Sequence, residues 1–552
     1  MLSAEAKLVE NFSKIRIAII LVIIGIISLS LKLYTVDFSI PVQHDNLGYT
    51  LDAILYSQGD FFINPKSNPG WRLFISPFML LTNSSDFIDY SNIVRILSIT
   101  ISTITILPMY ILARKFFSEK YSIAASALFA FEPHLNYNSS FGLSEPLFII
   151  ILVISLSMIL NKNIKYAYLS FVLAGFFWWI KFEGIILFVA FSIIYFLNFR
   201  KSSRKIPKYI LCVLIFLIII FPNFLQREQQ FGDPFFFWYE ETLFSKDYAT
   251  LLSQPEGGSV EDFLEEEGLE TFIDRFILTG FFNIFSILPR ILFPYLIILL
   301  PFGIIFSFRA FDQNRKYIQA NWIVILATIG ILVIPMAIIP ERRFLFQLYP
   351  LFIIFAIIPI QRVIEYGLST FEFSEKQKNN FLILVIIIII ILSSLFTITR
   401  FGPVDTLYEN EQIKYARFLQ ENFSGKILDG GNSIEYLFYS NQVNSEGKLD
   451  VNKIARHDKR DPYNIIYADS NIARVRISGT SLEELIINGE PEGLTHIAIN
   501  GDGPFFFPFL EDVFNNEEKY FYLKKVFDSE LKGYEKLKIK VFQIDHVKFK
   551  EI

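Results

Sequence analysis

Long apolar windows, broken by short charged or turn-rich stretches, fill the chain up to residue 398. Eleven of them, at 15–33, 91–113, 121–138, 143–160, 166–180, 184–198, 207–225, 286–307, 320–340, 344–361 and 380–398, read as membrane spans. A span needs about 20 mostly apolar residues, because the hydrocarbon layer is roughly 30 Å thick and a helix rises about 1.5 Å per residue. The window at 286–307 carries Pro289, Pro294 and Pro301, which a span tolerates only where neighbours satisfy the freed carbonyls. The first apolar run follows Lys14 and Arg16, as in a signal peptide, but Lys32-Leu33-Tyr34-Thr35 offers no small-residue cleavage site. It reads as a retained first span.

The period changes after residue 399. Residues 408–422 have helical spacing, with Ile413, Tyr415, Ala416 and Leu419 apolar among charged neighbours, and strand-like runs follow at 426–428, 474–477, 495–499 and 536–543. Gly430-Gly431 lacks the spacing of a dinucleotide-binding loop. The predicted fold class is an α-helical polytopic membrane protein of about 11 transmembrane helices, residues 1–398, followed by an α/β domain, residues 399–552. No repeat of solenoid period is visible.

Composition agrees with this division and narrows the partners. The 552 residues are 53% hydrophobic and 17% aromatic, more apolar than soluble domains. A net charge of −5 gives no sign of nucleic acid as a partner. The single cysteine, Cys212, falls in an apolar run and excludes an intrachain disulfide. Lys and Arg gather in alternate gaps, at Arg114, Lys115 and Lys120, Lys162 and Lys165, Arg200 to Lys208, Arg309 to Lys316, and Arg362 to Lys378. Cytoplasmic loops are enriched in such residues, so the N-terminus is expected in the cytoplasm. Three polar pieces then face outward: residues 34–90, residues 226–285, and the C-terminal α/β domain, which is thus extracytoplasmic. The acidic run from Glu261 to Glu270 reads as a solvated helix face or lid, and the aromatic run at 235–239 as an interfacial belt.

Four ordered segments carry the candidate chemistry. Pro41-Val42-Gln43-His44-Asp45-Asn46-Leu47-Gly48-Tyr49 places an acid just beyond the first span, followed by Gly59-Asp60, Asn68-Pro69-Gly70-Trp71 and a short apolar helix at 73–81. Gly142-Leu143-Ser144-Glu145-Pro146-Leu147 opens a span with an acid, Lys181-Phe182-Glu183-Gly184 fills a tight turn, and Glu341-Arg342-Arg343-Phe344-Leu345 precedes Leu348-Tyr349-Pro350. In this order and on one side of the membrane, the segments resemble the GT-C superfold of polyprenyl-phosphate-sugar glycosyltransferases, the group of the protein O-mannosyltransferases and the aminoarabinose transferases. The resemblance covers roughly residues 15–360. It departs from the protein O-mannosyltransferases at the first acid, where Asp45 is followed by Asn46 rather than Glu. The Trp-Trp-Asp-Tyr-Gly motif of oligosaccharyltransferases is also missing, since Trp178-Trp179 is followed by Ile180-Lys181.

The resemblance implies transfer of a sugar, with inversion, from a dolichyl or undecaprenyl phosphate to an acceptor on the outer face of the cell envelope. The acceptor is left open between protein, lipid and glycan. Such a reaction needs a base for the acceptor hydroxyl, for which Asp45 is the candidate, and cations for the departing phosphate, for which Arg342, Arg343 and Lys181 are candidates. Glu145 would orient the acceptor or a metal, while His44, Tyr49 and Glu183 would line the substrate site. No cofactor is required by the sequence; a divalent metal, if used, would fall to Asp45 and Glu145. Each residue also has a plainer reading: Asp45 as a helix cap, Glu145 as a helix-start acid, Arg342 and Arg343 as headgroup anchors or partners of Glu341, and Lys181 as the partner of Glu183. Two other classes compete, a transporter or flippase and a non-catalytic envelope scaffold. A transporter should carry ionisable groups at mid-membrane, whereas these cluster at span ends.

Overall fold

The computed structural model describes the chain except residues 1–3, 41, 43–44, 63–67, 83, 85, 237–259, 309–314, 403–405, 430–455, 458–464, 467–471, 475–476, 478, 502–506 and 552. Its N-terminal part is helical: α1 (Ala4–Tyr34), α2 (Asp45–Ser57), α3 (Gly70–Met79), α4 (Phe87–Ile104), α5 (Ile106–Phe116), α6 (Glu119–Ala130), α7 (Pro133–Ser140), α8 (Glu145–Ile159), α9 (Ile164–Ile180), α10 (Ile185–Phe199) and α11 (Lys205–Phe231). Then come α12 (Val260–Phe272), α13 (Thr279–Leu292), α14 (Leu296–Phe308), α15 (Arg315–Ile338), α16 (Tyr349–Arg362) and α17 (Glu375–Arg400). Among the described residues, eight helical stretches are long and apolar enough to cross a membrane, and the apolar helices α8, α9 and α14 are shorter. One hydrophobic cluster runs through α6, α8 to α10 and α16, with α16 buried along nearly its whole length.

Two expected spans are broken. The window at 121–138 divides into α6 and α7, because the Glu132 carboxylate accepts from the Leu135 amide at 2.7 Å and Pro133 sits in the first turn of α7, a helix start built into the middle of the window. The window at 286–307 straddles the end of α13 and the start of α14 at Phe293-Pro294; the Pro294 ring nitrogen offers no donor to carry the ladder across. Helix instead begins earlier, at residue 260, kinks at Gly268, and runs through a π-helical turn, Ile273–Leu278, into α13. Glu265, Glu266 and Glu267 lie exposed on α12.

The C-terminal part opens with α18 (Thr406–Asn422) and holds β1 (Gly425–Asp429), β2 (Arg456–His457), β3 (Ile465–Ile466), β4 (Ile472–Arg474), α19 (Leu482–Gly489), β5 (Leu494–Asn500), α20 (Leu510–Asn515), β6 (Leu523–Asp528), β7 (Ile539–Ile544) and α21 (His546–Phe549). The main sheet has the order β4-β1-β5-β7-β6, with β1 parallel to β4 and β5, and β7 antiparallel to β5 and β6. Its two faces bury separate clusters, one under α18 and one under α19 and α20. The edge strand β6 escapes the sequence pattern because Lys524 and Lys525 interrupt its alternation, a charged edge of the kind that blocks further pairing. Gly430-Gly431 lies outside the described residues.

Candidate functional site

Four helix ends meet at one end of the bundle. Asp45 is the first residue of α2, Glu145 the first of α8, Lys181 follows α9 ahead of the 3-10 turn Phe182–Gly184, and Arg343 lies in the 3-10 segment Arg342–Leu348 leading into α16. Arg343 Nη2 reaches Asp45 Oδ2 at 2.9 Å across 298 positions of sequence, and also Glu341 Oε2 at 2.5 Å. Lys181 Nζ meets Glu145 Oε1 at 2.7 Å and lies over the Phe148 ring. The expected Lys181–Glu183 pair is therefore replaced by Lys181–Glu145: Lys181 ends α9 in extended conformation, which carries its side chain across to the start of α8. Arg343 does pair with Glu341, and it holds Asp45 as well.

Between these groups lies a small cavity with room for about one water, walled by Glu145, Lys181, Glu183, Arg343 and Gln347 over Phe148. Glu145 is buried, and its Oε2 has no hydrogen-bond partner among the described residues. Tyr49 lies within electrostatic reach of Asp45, Glu145, Arg72 and Arg343; burial and the Asp45 carboxylate hold its phenol well above its usual range, so it remains a neutral hydroxyl. Arg342 points elsewhere. It is exposed, acts electrostatically on His134 and Tyr349, and makes no ion pair with a carboxylate among the described residues. His44 lies outside the described residues, as do positions 237–239 of the aromatic run, whose Phe235 packs on Phe224.

Residues to which the sequence reading gave no role hold this geometry. Asn46 Nδ2 donates to the Phe141 carbonyl, docking α2 on the turn between α7 and α8. Gly142, at φ 74°, makes that turn against Val94 and Arg95 of α4, and an added Cβ would lie 3.0 Å from Val94. Arg72 forms a buried ion pair with Asp52 at 2.6 Å and stacks over Tyr49, tying α3 to α2. The Asn68-Pro69-Gly70-Trp71 segment is a clasp on α9: Asn68 Nδ2 donates to the Trp178 carbonyl at 2.5 Å, its Oδ1 accepts from Arg227 at 2.9 Å, and a Cβ at Gly70 would strike the Trp179 carbonyl. Lys32 in α1 donates to Asn136 Oδ1 at 2.5 Å and Ser28 Oγ at 2.7 Å, fastening α7 to the first span. The signal for Gln347 was available, since it is a lone amide in the apolar run Phe344 to Tyr349.

As a metal site the cluster is poorly suited. Among the described residues no three His, Cys, Asp or Glu side chains gather closely enough to hold an ion, and Asp45 and Glu145 are each already neutralised by a cation. A hard divalent ion needs several free oxygen ligands.

A bundle whose first loop, fourth-span start and late-span turn converge on one acid-and-cation cluster defines an integral, multi-pass membrane protein with the GT-C fold of the oligosaccharyltransferase and ArnT structures described below. Within it, residues 66–225, less than half of the chain, match the family model described as dolichyl-phosphate-mannose-protein mannosyltransferase. Among solved structures, the oligosaccharyltransferase of Archaeoglobus fulgidus in its apo form is 11% identical with a TM-score of 0.56, covering 89% of this chain and 70% of its own. ArnT of Cupriavidus metallidurans bound to undecaprenyl phosphate is 12% identical with a TM-score of 0.52, covering 95% of this chain and 97% of its own. The Archaeoglobus enzyme has also been solved with Zn and sulfate, at 13% identity and a TM-score of 0.53, covering 87% of this chain and 67% of its own. At these identities the likeness is one of fold. No curated protein sequence matches the chain.

Proposed function

We propose that this protein transfers a single sugar from a polyprenyl phosphate to an acceptor hydroxyl, with inversion, using Asp45 as the general base. The observation that carries the reading is the Asp45–Arg343 ion pair at the end of the bundle, beside a cavity lined by Glu145, Glu183, Lys181 and Arg343. Asp45 is half exposed, and only its Oδ2 is engaged by Arg343; the other oxygen is free to accept a proton. In the reaction the acceptor oxygen forms a bond to the anomeric carbon as the bond to the phosphate oxygen breaks. The acceptor proton passes to Asp45, and the phosphate leaves with the bonding electrons. One displacement inverts the centre. Arg343 fixes the direction of the base, as fixed cations do without reorganising.

Arg342, exposed beside Arg343 in the chain and in no ion pair with a carboxylate among the described residues, is the cation for the departing phosphate in this reading, with Lys181 and Arg343 adding to the field. Support for this donor class comes from the ArnT structure, which holds undecaprenyl phosphate in the same fold, and from the dolichyl-phosphate-mannose description of the matching family. The Glu145–Lys181 pair and the Tyr49 hydroxyl orient the sugar.

The test is transfer by the purified protein from a labelled polyprenyl-phosphate sugar to candidate protein, lipid and glycan acceptors. The Asp45→Asn protein should bind donor but transfer about 10² to 10⁴ times more slowly. Full transfer by that variant would remove Asp45 as the base, and absence of donor binding by the wild type would remove the donor class.

A further inference from the structure

The short helix α3 and the turn that follows it turn an apolar face outward. From Gly70 to Leu81 the exposed side chains are Phe74, Pro77, Leu80 and Leu81, with Leu80 exposed over 66% and Leu81 over 81% of its surface. The one charged residue of this stretch, Arg72, is buried against Asp52. In the C-terminal domain α19, of similar length, does the reverse: it buries Leu482, Leu485 and Ile486 and exposes Glu483, Glu484 and Asn488 beside a lone Ile487. A helix in water is expected to look like α19.

Both ends of α3 are fixed at the level of span ends. Ahead of it, Asn68 Nδ2 donates to the Trp178 carbonyl at 2.5 Å and Gly70 lies against the Trp179 carbonyl, in the last turn of α9. Beyond it, the Tyr90 hydroxyl in the first turn of α4 donates to the Thr82 and Ser84 carbonyls at 3.2 Å, and α4 opens the membrane-crossing stretch Phe87–Phe116. Ten helical residues reach about 15 Å, half the thickness of the hydrocarbon layer, so a helix tied at both ends to span ends runs along the bilayer surface. The spans on either side expose apolar side chains too, Phe176 of α9 and Ile96 of α4.

We propose that α3 is a membrane-surface anchor whose exposed face, Phe74, Pro77, Leu80 and Leu81, docks into the lipid leaflet at the site end of the bundle, at the headgroup boundary where interfacial helices lie. A second copy or a polypeptide would need polar groups at the rim of its contact, and the exposed residues of this stretch offer none. The opposite face of α3 holds α2, because Arg72 pairs with Asp52 and lies over the Tyr49 ring. Docking therefore sets the height of α2, and of Asp45 at its start, above the leaflet. Lipid contact needs no particular substrate, so it stands or falls apart from the sugar transfer proposed above.

Cys212 is buried, so a single introduced cysteine can be labelled. Full-length Leu80→Cys and Leu81→Cys proteins, with Ile487→Cys as an exposed apolar position among charged neighbours, are labelled with an environment-sensitive fluorophore and placed in phosphatidylcholine nanodiscs. Quenching is read with a lipid carrying a nitroxide high on its acyl chain and, separately, with iodide in the water. At 80 and 81 the nitroxide lipid should quench at least about three times as strongly as at 487, and iodide at most about a third as strongly. Iodide quenching as strong as at 487 overturns the docking. Protection from iodide without quenching by the nitroxide lipid also overturns it, and is the result that a second copy or a bound polypeptide would give.

Discussion

At the scale of single residues, the two adjacent arginines Arg342 and Arg343 have different work, although their sequence neighbourhood treats them alike. Arg343 is two-thirds buried and engaged by Asp45 and Glu341, while Arg342 is exposed beside His134. A 3-10 segment turns successive side chains about 120° apart, and that rotation alone separates them. Arg342→Ala should weaken donor binding by roughly tenfold, the loss of one charge-assisted hydrogen bond to phosphate, with kcat little changed. Arg343→Ala should instead lower kcat, because Asp45 loses the group that aims it. Titrating donor against transfer rate in both variants separates the two effects. Equal changes in KM and kcat for the pair would mean that both arginines serve one role. The acids Asp45 and Glu145 and the cations Lys181 and Arg343 were legible from the sequence as residues of span ends. Their pairing was not, because it joins elements 36 and 298 positions apart, and the local rule that favoured Lys181 with Glu183 was overridden by backbone direction.

At the scale of elements, most of the site's precision comes from fastenings between short helices. The helices α2 and α3 lie outside the long spans and are joined by the buried Arg72–Asp52 pair, with Trp71, Ile75 and Met79 packed against Leu51, Ile54 and Leu55. Removing one partner leaves a buried charge uncompensated, which costs about 3–5 kcal/mol. Asp52→Asn should therefore lower the unfolding midpoint of the purified protein and loosen α2, on which Asp45 stands. A variant as stable as wild type would show that the packing alone holds α2. In the C-terminal domain, Glu411 of α18 plays a comparable part: its carboxylate accepts from the amides of Glu535, Lys536 and Leu537 at 2.8 to 2.9 Å. Burial pushes its acid up, but the three backbone donors outweigh burial and hold it below the ordinary value of 4.5. A depressed carboxyl stabilises the folded state above that ordinary value and loses the contribution as pH falls through the lower folded value. The acid unfolding of this domain, followed by tyrosine fluorescence, should thus move to higher pH in Glu411→Gln. Helix periodicity made α18 legible, but the turn at 535–537 that it anchors has no linear signature, since backbone donors are the same in every residue.

At the scale of the whole molecule, the helices have unlike ends. The end holding Asp45, Glu145, Lys181 and Arg343 is where α8 begins and where the segment into α16 begins, whereas Arg114 and Lys115 close α5, Arg200 and Lys201 follow α10, and Arg362 closes α16. Lys and Arg are retained on the cytoplasmic side during insertion, which predicts that the site end faces outward. The placement of Lys and Arg between the apolar windows sets this expectation; the windows themselves blurred only where a polar start such as Glu132-Pro133 interrupts a run, because hydropathy averages over a break that capping decides. The single cysteine makes the orientation easy to test. Cys212 is buried, so labelling by a membrane-impermeant maleimide begins from a quiet background. Gln58, exposed after α2, and Ser203, exposed between α10 and α11, lie on opposite sides in this topology. In intact cells Gln58→Cys should react and Ser203→Cys should react only after permeabilisation. The opposite pattern would put the acid cluster in the cytoplasm, where the acceptor would have to be sought among cytoplasmic hydroxyls. Under the proposed reaction, the expected pattern requires that the donor reach the site with its phosphate already on the outer leaflet, so a separate step would have to carry the sugar lipid across the membrane before transfer.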